Sequence, residues 1–159
     1  MDFTTADLCD RYSDELQVCE SVLHSYGGRS RFAGPAATVK CFEDNSRVRE
    51  LVNEKGAGRV LVIDAGGSTR RAVLGDMLAG NAVANDWNGV VIFGALRDAA
   101  AIAAMPLGVR ALGTCPLKTE KRGEGQRDLT IRFAGATFHP GDWVYADEDG
   151  VIVAQRRLV

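Results

Sequence analysis

The four cysteines of this 159-residue chain form no Cys-x-x-Cys pair, and its two histidines stand far apart. Each cysteine lies in apolar or helical sequence, so we expect reduced and buried thiols. His24 and His139 each stand beside a predicted turn. We therefore expect them at the surface or at a helix end, and not as metal ligands.

Long apolar runs and an excess of one charge are also missing. No stretch of about eighteen apolar residues occurs, and no apolar segment follows a basic start, so we expect neither a membrane span nor a secretion signal. The 21 acidic residues nearly balance the 19 basic ones, which argues against a surface that binds nucleic acid. Without repeats or linkers, residues 1–159 are expected to form one domain, and the protein is expected to be cytoplasmic.

Short apolar segments predict an α/β fold with a mixed sheet. Helices and strands alternate over the first two thirds of the chain, and strands dominate the last third. Residues 4–24 are predicted to be helical in two pieces, with the second at Val18 to Leu23, and Thr119 to Asp128 is predicted to be an exposed loop. Further helices are predicted from Asn45 or Ser46 to about Lys55, Asp76 to Trp87 and Ala99 to Met105; strands are predicted at Gly34 to Glu43, Val60 to Asp64, Arg71 to Leu74, Val90 to Gly94, Val109 to Cys115, Leu129 to Phe133, Ala136 to Phe138, Val144 to Ala146 and Val151 to Ala154.

The segment Ala65-Gly66-Gly67-Ser68 follows a predicted strand, an order typical of nucleotide-binding loops. Those loops need a third glycine that opens a helix, so that the backbone can approach a phosphate. Here Ser68-Thr69-Arg70-Arg71 follows instead, and then another short strand. The segment is therefore predicted to be a tight turn between strands.

Two short segments carry the residues we expect at a functional site. Gly75-Asp76-Met77-Leu78 begins a predicted helix, whose first N–H groups, at Met77 and Leu78, lack an intrahelical acceptor and could bind an anion. Arg97-Asp98 follows a predicted strand, at whose carboxyl end α/β proteins commonly bind ligands. An arginine can hold a carboxylate through two parallel hydrogen bonds, and an aspartate can bind a hard divalent cation. Together the segments suit a small keto acid bound to a metal.

A structural role for the second segment is an open alternative. Asp98 could be the N-cap of the predicted helix Ala99 to Met105, because aspartate is a common capping residue. The residues considered alone favour this role over a metal site.

The twenty residues between Asp76 and Arg97-Asp98 give a spacing that resembles the signature of the class II 4-hydroxy-4-methyl-2-oxoglutarate aldolases. This family shares a superfamily with the regulator of ribonuclease activity A. The resemblance favours a metal site over a helix cap, and it implies a swivelling β/β/α domain, similar to phosphohistidine domains, in a ring-shaped homotrimer with active sites between subunits. Further blocks in matching order are Tyr26-Gly27-Gly28-Arg29, Phe32-Ala33-Gly34-Pro35, Thr38 to Asn45, Val60 to Asp64 and Gly141-Asp142 through Asp149-Gly150.

The resemblance also implies a role for each residue of the two segments. Asp98 would bind Mg²⁺ or Mn²⁺ directly, with waters in most other coordination positions, and Asp76 would hold one of those waters. Arg97 would bind the pyruvyl end of a keto acid and offset the charge of its enolate. The segment Gly75 to Leu78 would bind the substrate, with the N–H groups of its last two residues receiving the carboxylate.

The expected chemistry is aldol cleavage that releases pyruvate. A metal suits it better than a lysine Schiff base, because no lysine falls in the two segments. The same enolate arises when oxaloacetate loses carbon dioxide, so decarboxylation is expected to accompany aldol cleavage.

Two other functions stay open. Longer aldolases of the family use a glutamate near the carboxyl terminus of a neighbouring subunit, whereas this chain ends at Gln155-Arg156-Arg157-Leu158-Val159. Its length is closer to the regulators, which bind and inhibit ribonuclease E, so a non-catalytic regulator is the alternative. The complete set of Asp76, Arg97 and Asp98 favours the enzyme, because a regulator needs no metal ligand. A menaquinone methyltransferase, another name used in this family, is disfavoured by the missing third glycine.

Overall fold

In the computed structural model, which describes residues 2–159, helices pack against a central mixed sheet, so the predicted α/β class is confirmed. The helices are α1 (Thr5–Tyr12), α2 (Ser46–Val52), α3 (Asp76–Ala84) and α4 (Ala99–Ala103), with a 3₁₀ turn at Ser13–Glu15. The strands are β1 (Leu16–Val18), β2 (His24–Ser25), β3 (Phe32–Lys40), β4 (Val60–Asp64), β5 (Ala72–Leu74), β6 (Gly89–Leu96), β7 (Gly108–Thr114), β8 (Gln126–Arg127), β9 (Ile131–Phe133), β10 (Ala136–Phe138), β11 (Trp143–Asp147) and β12 (Gly150–Ala154).

Four parallel strands, in the order β3-β4-β6-β7, form the middle of the sheet. Parallel neighbours need a crossover connection, and α2, α3 and α4 lie within the three connections between these strands. The antiparallel strands β11, β12 and β1 extend the sheet beyond β3, and β2 closes the other edge beside β7.

The two faces of the sheet are covered by different elements. One face packs against α2, α3 and α4 through residues such as Val39, Leu61 and Ile92, all fully buried. The other face packs against the β9–β10 hairpin, where the ring of Phe133 stacks on Phe93 with centroids 5.2 Å apart. Burial on both faces explains why β4 and β6 are continuous apolar runs and not alternating ones.

The pairing of β6 with two successive strands positions the candidate site. β4 pairs with the first part of β6, and the short strand β5 pairs with its end. Leu74 and Leu96 are partners in this register, and the N–H of Arg97 donates to the carbonyl of Leu74 at 2.9 Å. Because the strands are parallel, Asp76 and Asp98 each lie two residues beyond a partner and leave the sheet side by side.

Of the two helical pieces predicted in residues 4–24, the first is confirmed as α1. Thr4 caps α1 by accepting a hydrogen bond of 3.0 Å from the N–H of Asp7. The second predicted helix, Val18 to Leu23, is wrong, since Leu16–Val18 forms strand β1 and no helix follows it. Pairing with β12 satisfies this backbone at the sheet edge, and tertiary contacts thereby override the local helical pattern.

The predicted loop Thr119 to Asp128 is exposed over most of its length, but it is buried at its start and contains a short strand. Thr119 is only 2% exposed, and its hydroxyl donates to Asn45 at 2.8 Å. Gln126–Arg127 forms strand β8 against the end of β3. The three internal helices end two to three residues earlier than predicted, at Val52, Ala84 and Ala103.

Several other local predictions are confirmed. The tight turn after β4 has left-handed backbone at Gly66 and Gly67, with φ of 68° and 75°. All four cysteines are free, as predicted, but only Cys19 and Cys41 are buried, and burial raises the pKa of each to about 12; Cys9 and Cys115 are half-buried. Within residues 2–159, no helix combines the length and apolar character that crossing a membrane requires.

Candidate active site

A cavity of about 460 Å³ lies where β5 and β6 end and α3 begins, a volume typical of small-molecule sites. The structure brings both predicted segments to this one cavity. All six residues that the sequence singled out line it: Gly75, Asp76, Met77, Leu78, Arg97 and Asp98.

Asp98 connects the two segments directly. By position it is the N-cap of α4, but its side chain makes no capping hydrogen bond there. Its Oδ2 atom instead accepts a hydrogen bond of 3.0 Å from the backbone N–H of Asp76, at the start of α3. Asp98 also holds a left-handed backbone conformation, with φ of 58°, and such conformations in residues other than glycine cluster at functional sites. The geometry does not support the alternative in which Asp98 caps its own helix.

The Asp98 carboxylate is charged and partly free. The hydrogen bond from the N–H of Asp76 lowers the pKa of this carboxyl group against the opposing effect of desolvation, with smaller contributions from the Asp76 side chain and the Arg97 guanidinium. Its Oδ1 atom accepts no hydrogen bond from any residue in the range 2–159, and the side chain is exposed. An ionised carboxylate with one free oxygen is what a cation ligand requires.

Gly75 provides the space in which these groups meet. A Cβ atom built on Gly75 would lie 2.9 Å from Oδ2 of Asp98 and 3.4 Å from Nε of Arg97. The φ of Gly75 is −127°, which any residue can adopt, so a larger residue here would disturb the Asp98 and Arg97 side chains and not the backbone.

The start of α3 offers further hydrogen-bond donors. The N–H groups of Met77 and Leu78 donate to no acceptor within residues 2–159, as expected for the first turn of a helix. They line the same cavity as the Arg97 guanidinium, which likewise forms no ion pair or hydrogen bond with the described residues. An anion bound here would meet both the partial positive charge of the helix end and a full positive charge.

Part of this lining was not predicted from the sequence. The cavity is also lined by polar residues of α2 and α3 and of the segment after β7: Asn45, Arg49, Asn53, Asn81, Lys118 and Lys121. Lys118 directly precedes, and Lys121 lies within, the stretch Thr119 to Asp128 that was predicted to be an exposed loop. Only long-range contacts bring them to the cavity, so no local pattern could have found them.

Asp44 holds the stretch Thr119 to Asp128 in place through hydrogen bonds. Its buried carboxylate accepts hydrogen bonds from the N–H groups of Arg122 at 2.8 Å and Glu124 at 3.1 Å, and from Ser46. Asn45, the next residue, donates to the carbonyl of Val73 at 3.1 Å. This network ties the stretch after β7 to the start of α2, and thereby completes the cavity wall.

The donor set at the cavity fits a hydrated magnesium or manganese ion. In the part of the chain that the structure describes, no three His, Cys, Asp or Glu side chains converge on one point. Zinc usually takes three or four protein ligands, so this set does not suit it. Mg²⁺ retains several waters and commonly uses one or two carboxylates, a number that Asp98 and Asp76 supply.

A family model described as RraA-like, Aldolase/RraA, matches residues 5–153. The chain belongs to the RraA-like family. A protein of Laribacter hongkongensis, provisionally named as a 4-hydroxy-4-methyl-2-oxoglutarate aldolase, is 59% identical over the whole of both chains. A protein of Alkalilimnicola ehrlichii with the same provisional name is 55% identical, over 100% of this chain and 99% of its own length.

Two solved structures share the RraA-like fold over nearly the whole chain. The RNA-processing inhibitor RraA from Thermus thermophilus has 42% identity and a TM-score of 0.96, covering 100% of this chain and 96% of its own. A Geobacillus kaustophilus protein described as an S-adenosylmethionine:2-dimethylmenaquinone methyltransferase has 52% identity and a TM-score of 0.95, covering 98% and 97%. In the present chain the residues after β4 form a tight turn between strands, without the helix that opens a nucleotide-binding loop.

Proposed function

We propose that this protein is a class II aldolase that needs a divalent metal and cleaves 4-hydroxy-4-methyl-2-oxoglutarate to pyruvate. The relatives at 59% and 55% identity carry the name of this aldolase, which is a lyase. One observation carries the proposal: the partly free Asp98 carboxylate lies in the same cavity as the unpaired Arg97 guanidinium and the free N–H groups at the start of α3.

The keto-acid end of the substrate has complementary groups in this cavity. Its carboxylate would accept hydrogen bonds from the N–H groups of Met77 and Leu78, because an anion is stabilised at a helix amino terminus. Arg97 would hold the pyruvyl oxygens through its planar fork of donors. Asp98, assisted by Asp76, would hold Mg²⁺ or Mn²⁺. A cation there would supply the positive charge that stabilises the enolate left by C–C cleavage.

The reaction balances without an oxidant. The C3–C4 bond of 4-hydroxy-4-methyl-2-oxoglutarate breaks, the C4 hydroxyl loses its proton to become a carbonyl, and the bonding electrons remain on C3 as an enolate. Protonation of C3 then gives the second pyruvate. Loss of carbon dioxide from oxaloacetate leaves the same enolate, so the same groups of Arg97 and Asp98 would also support oxaloacetate decarboxylation.

Pyruvate release from both substrates, measured with and without a chelator, tests the proposal. We expect EDTA to abolish turnover, and Mg²⁺ or Mn²⁺ to restore it. Undiminished turnover in excess chelator would contradict the class II mechanism, because that mechanism needs the metal to stabilise the enolate.

We also propose a homotrimer with the active site near a subunit interface, which is the expectation that the family resemblance gave. Met77, at the cavity, is 79% exposed, and Phe42 and Leu117 are also large apolar residues left exposed at 54% and 52%. A subunit interface beside the cavity would cover Met77. Analytical ultracentrifugation should give three times the mass of 17.0 kDa, and a monomer would contradict the assembly.

Binding to ribonuclease E is the second candidate function, favoured by the likeness to the Thermus inhibitor at 42% identity. It needs surface complementarity and no metal at Asp98. We expect that Asp98→Ala removes any lyase activity and leaves inhibition of a ribonuclease unchanged if both functions are present. Inhibition in a chain with no lyase activity at all would make the regulator the better description.

A further inference from the structure

The cavity carries more positive charge than the keto-acid end of the proposed substrate needs. Arg49, Lys118 and Lys121 line it in addition to Arg97, against the two carboxylates of Asp76 and Asp98. The lining therefore has two positive charges in excess, although the whole chain has a formal net charge of −2. A bound divalent cation would increase that excess. A substrate with two negative charges compensates it better than a substrate with one.

Among the three additional cations Arg49, Lys118 and Lys121, Arg49 is the one with a guanidinium. Asn45, Arg49 and Asn53 follow each other at four-residue steps from the N-cap to the C-cap of α2, which places them on one side of the helix, and all three line the cavity. Asn45 is fixed to Val73, and the Nδ2 atom of Asn53 donates to the carbonyl of Arg49 at 2.8 Å. The base of the Arg49 side chain is thus held on a rigid element.

The Arg49 guanidinium has no partner among residues 2–159. Its neighbour Arg47 is bonded to Glu50 and to the carbonyls of Gly123 and Gly125, and Arg127 is paired with Glu54 at 2.6 Å. Arg49 forms no such ion pair or hydrogen bond. A guanidinium offers a planar pair of donors that matches a carboxylate, and this one is available to a ligand in the cavity.

We propose that Arg49 binds the distal carboxylate of a dicarboxylic 2-keto acid, and so makes the site selective for dianionic over monoanionic substrates. The inference rests on the proposed aldolase function and adds a specificity residue to it. Arg97, at the end of β6, holds the keto-acid end, and Arg49, on α2, holds the other end. Lys118 and Lys121 add positive charge to the same cavity, but a lysine ammonium lacks the planar pair of donors that matches a carboxylate.

A pair of substrates tests this assignment. 4-Hydroxy-4-methyl-2-oxopentanoate has the same keto-acid end as 4-hydroxy-4-methyl-2-oxoglutarate, but a methyl group replaces its distal carboxylate. We expect Arg49→Met to lower kcat/KM for the dicarboxylate about 10- to 100-fold, the loss typical of a hydrogen bond to a charged group. The kcat/KM for the monocarboxylate should change less than about twofold. For the dicarboxylate, the kcat/KM of Arg49→Lys should lie between those of Arg49→Met and the unaltered protein, because lysine keeps the charge but lacks the planar pair of donors.

Binding gives a readout that does not depend on turnover. 2-Oxoglutarate has the same separation between its carboxylates as the substrate but lacks the C4 hydroxyl, so it cannot undergo aldol cleavage. Calorimetry in the presence of Mg²⁺ should show weaker 2-oxoglutarate binding by Arg49→Met and unchanged pyruvate binding. Lys55→Met is the matched control, since it removes one exposed positive charge just beyond α2 without touching the cavity.

The outcomes separate this inference from the proposed function. If the unaltered protein cleaves the dicarboxylate and Arg49→Met keeps its preference over the monocarboxylate, the Arg49 assignment is wrong and the aldolase stands. Equal losses on both substrates would also overturn it, because they would indicate a general effect on the site. An unaltered protein without any metal-dependent cleavage would overturn the proposed function and this inference with it.

Discussion

The Oδ2 atom of Asp98 accepts a 3.0 Å hydrogen bond from the backbone N–H of Asp76, across the ends of two parallel strands. The pairing of Leu74 with Leu96 explains the spacing of the two aspartates, because each aspartate lies two residues beyond its partner. One hydrogen bond thus joins the amino end of α3 to the carboxyl end of β6. It leaves one carboxylate oxygen of Asp98 free for a cation.

The two aspartates should respond differently to substitution. Asp98→Ala should eliminate metal-stimulated activity, since the proposed direct ligand is lost. Asp76→Ala should lower it about 10- to 100-fold, as is typical for a group that acts through a water bound to the metal. Both side chains are exposed, so the thermal melting points should stay close to that of the unaltered protein. If Asp98→Ala keeps its rate but melts at a markedly lower temperature, Asp98 serves only as the cap of α3.

Arg97→Lys should weaken the binding of pyruvate although the charge is retained. A lysine ammonium is a compact charge and cannot form two parallel hydrogen bonds to the pyruvyl oxygens. We expect the inhibition constant of pyruvate to rise about 10- to 100-fold, in line with the loss of a charged hydrogen bond. Competitive inhibition assays with Mg²⁺ held constant measure this effect. An unchanged constant would show that Arg97 does not contact pyruvate.

Gly75→Ala tests whether the site depends on close approach. The new Cβ atom would lie 2.9 Å from Oδ2 of Asp98, so the carboxylate must move away from its hydrogen bond with Asp76. We expect at least about a tenfold loss of activity and a change in unfolding free energy below about 1 kcal/mol, because alanine also restricts the unfolded chain. Gly80→Ala, on the same helix, is the control: its Cβ would meet nothing within 4 Å. Equal activity of the two variants would contradict the prediction.

Local patterns predicted much of this fold but not its registers. Val60 to Asp64 and Val90 to Gly94 are apolar runs whose burial is visible in the sequence, and both are strands of the buried middle of the sheet. The pairing of Leu74 with Leu96 depends on tertiary contacts, which hydrophobic periodicity does not encode. The segment Val18 to Leu23 was mispredicted for the same reason: pairing at a sheet edge competes with a helical pattern.

The candidate site likewise contains some residues that could be predicted from the sequence and others that could not. Asp76 and Arg97-Asp98 could be found because they lie beyond the ends of predicted strands, where ligands commonly bind, and because their spacing resembles the family signature, which favoured a metal site over a helix cap. Arg49 and Lys121 resemble ordinary surface charges in the sequence. Their place in the cavity depends on how α2 and the stretch after β7 pack together, and the buried carboxylate of Asp44 organises that packing.

Asp44 should therefore stabilise the fold in a manner that depends on pH. Burial alone would raise the pKa of this carboxyl group, but hydrogen bonds from Ser46, Arg122 and Glu124 lower it from 3.8 to about 2. Because the folded pKa lies below the unfolded one, the folded state binds fewer protons, and the contribution is complete well above pH 4 and is lost as the pH falls toward 2. We expect Asp44→Asn to lower the free energy of unfolding by about 2 kcal/mol at pH 7, and by about half as much at pH 3. Urea unfolding at the two pH values measures this, with Asp10→Asn, on the exposed surface of α1, as the control. A difference between Asp44→Asn and the unaltered protein that stays constant from pH 7 to pH 3 would show that shape, and not charge, determines the role of Asp44.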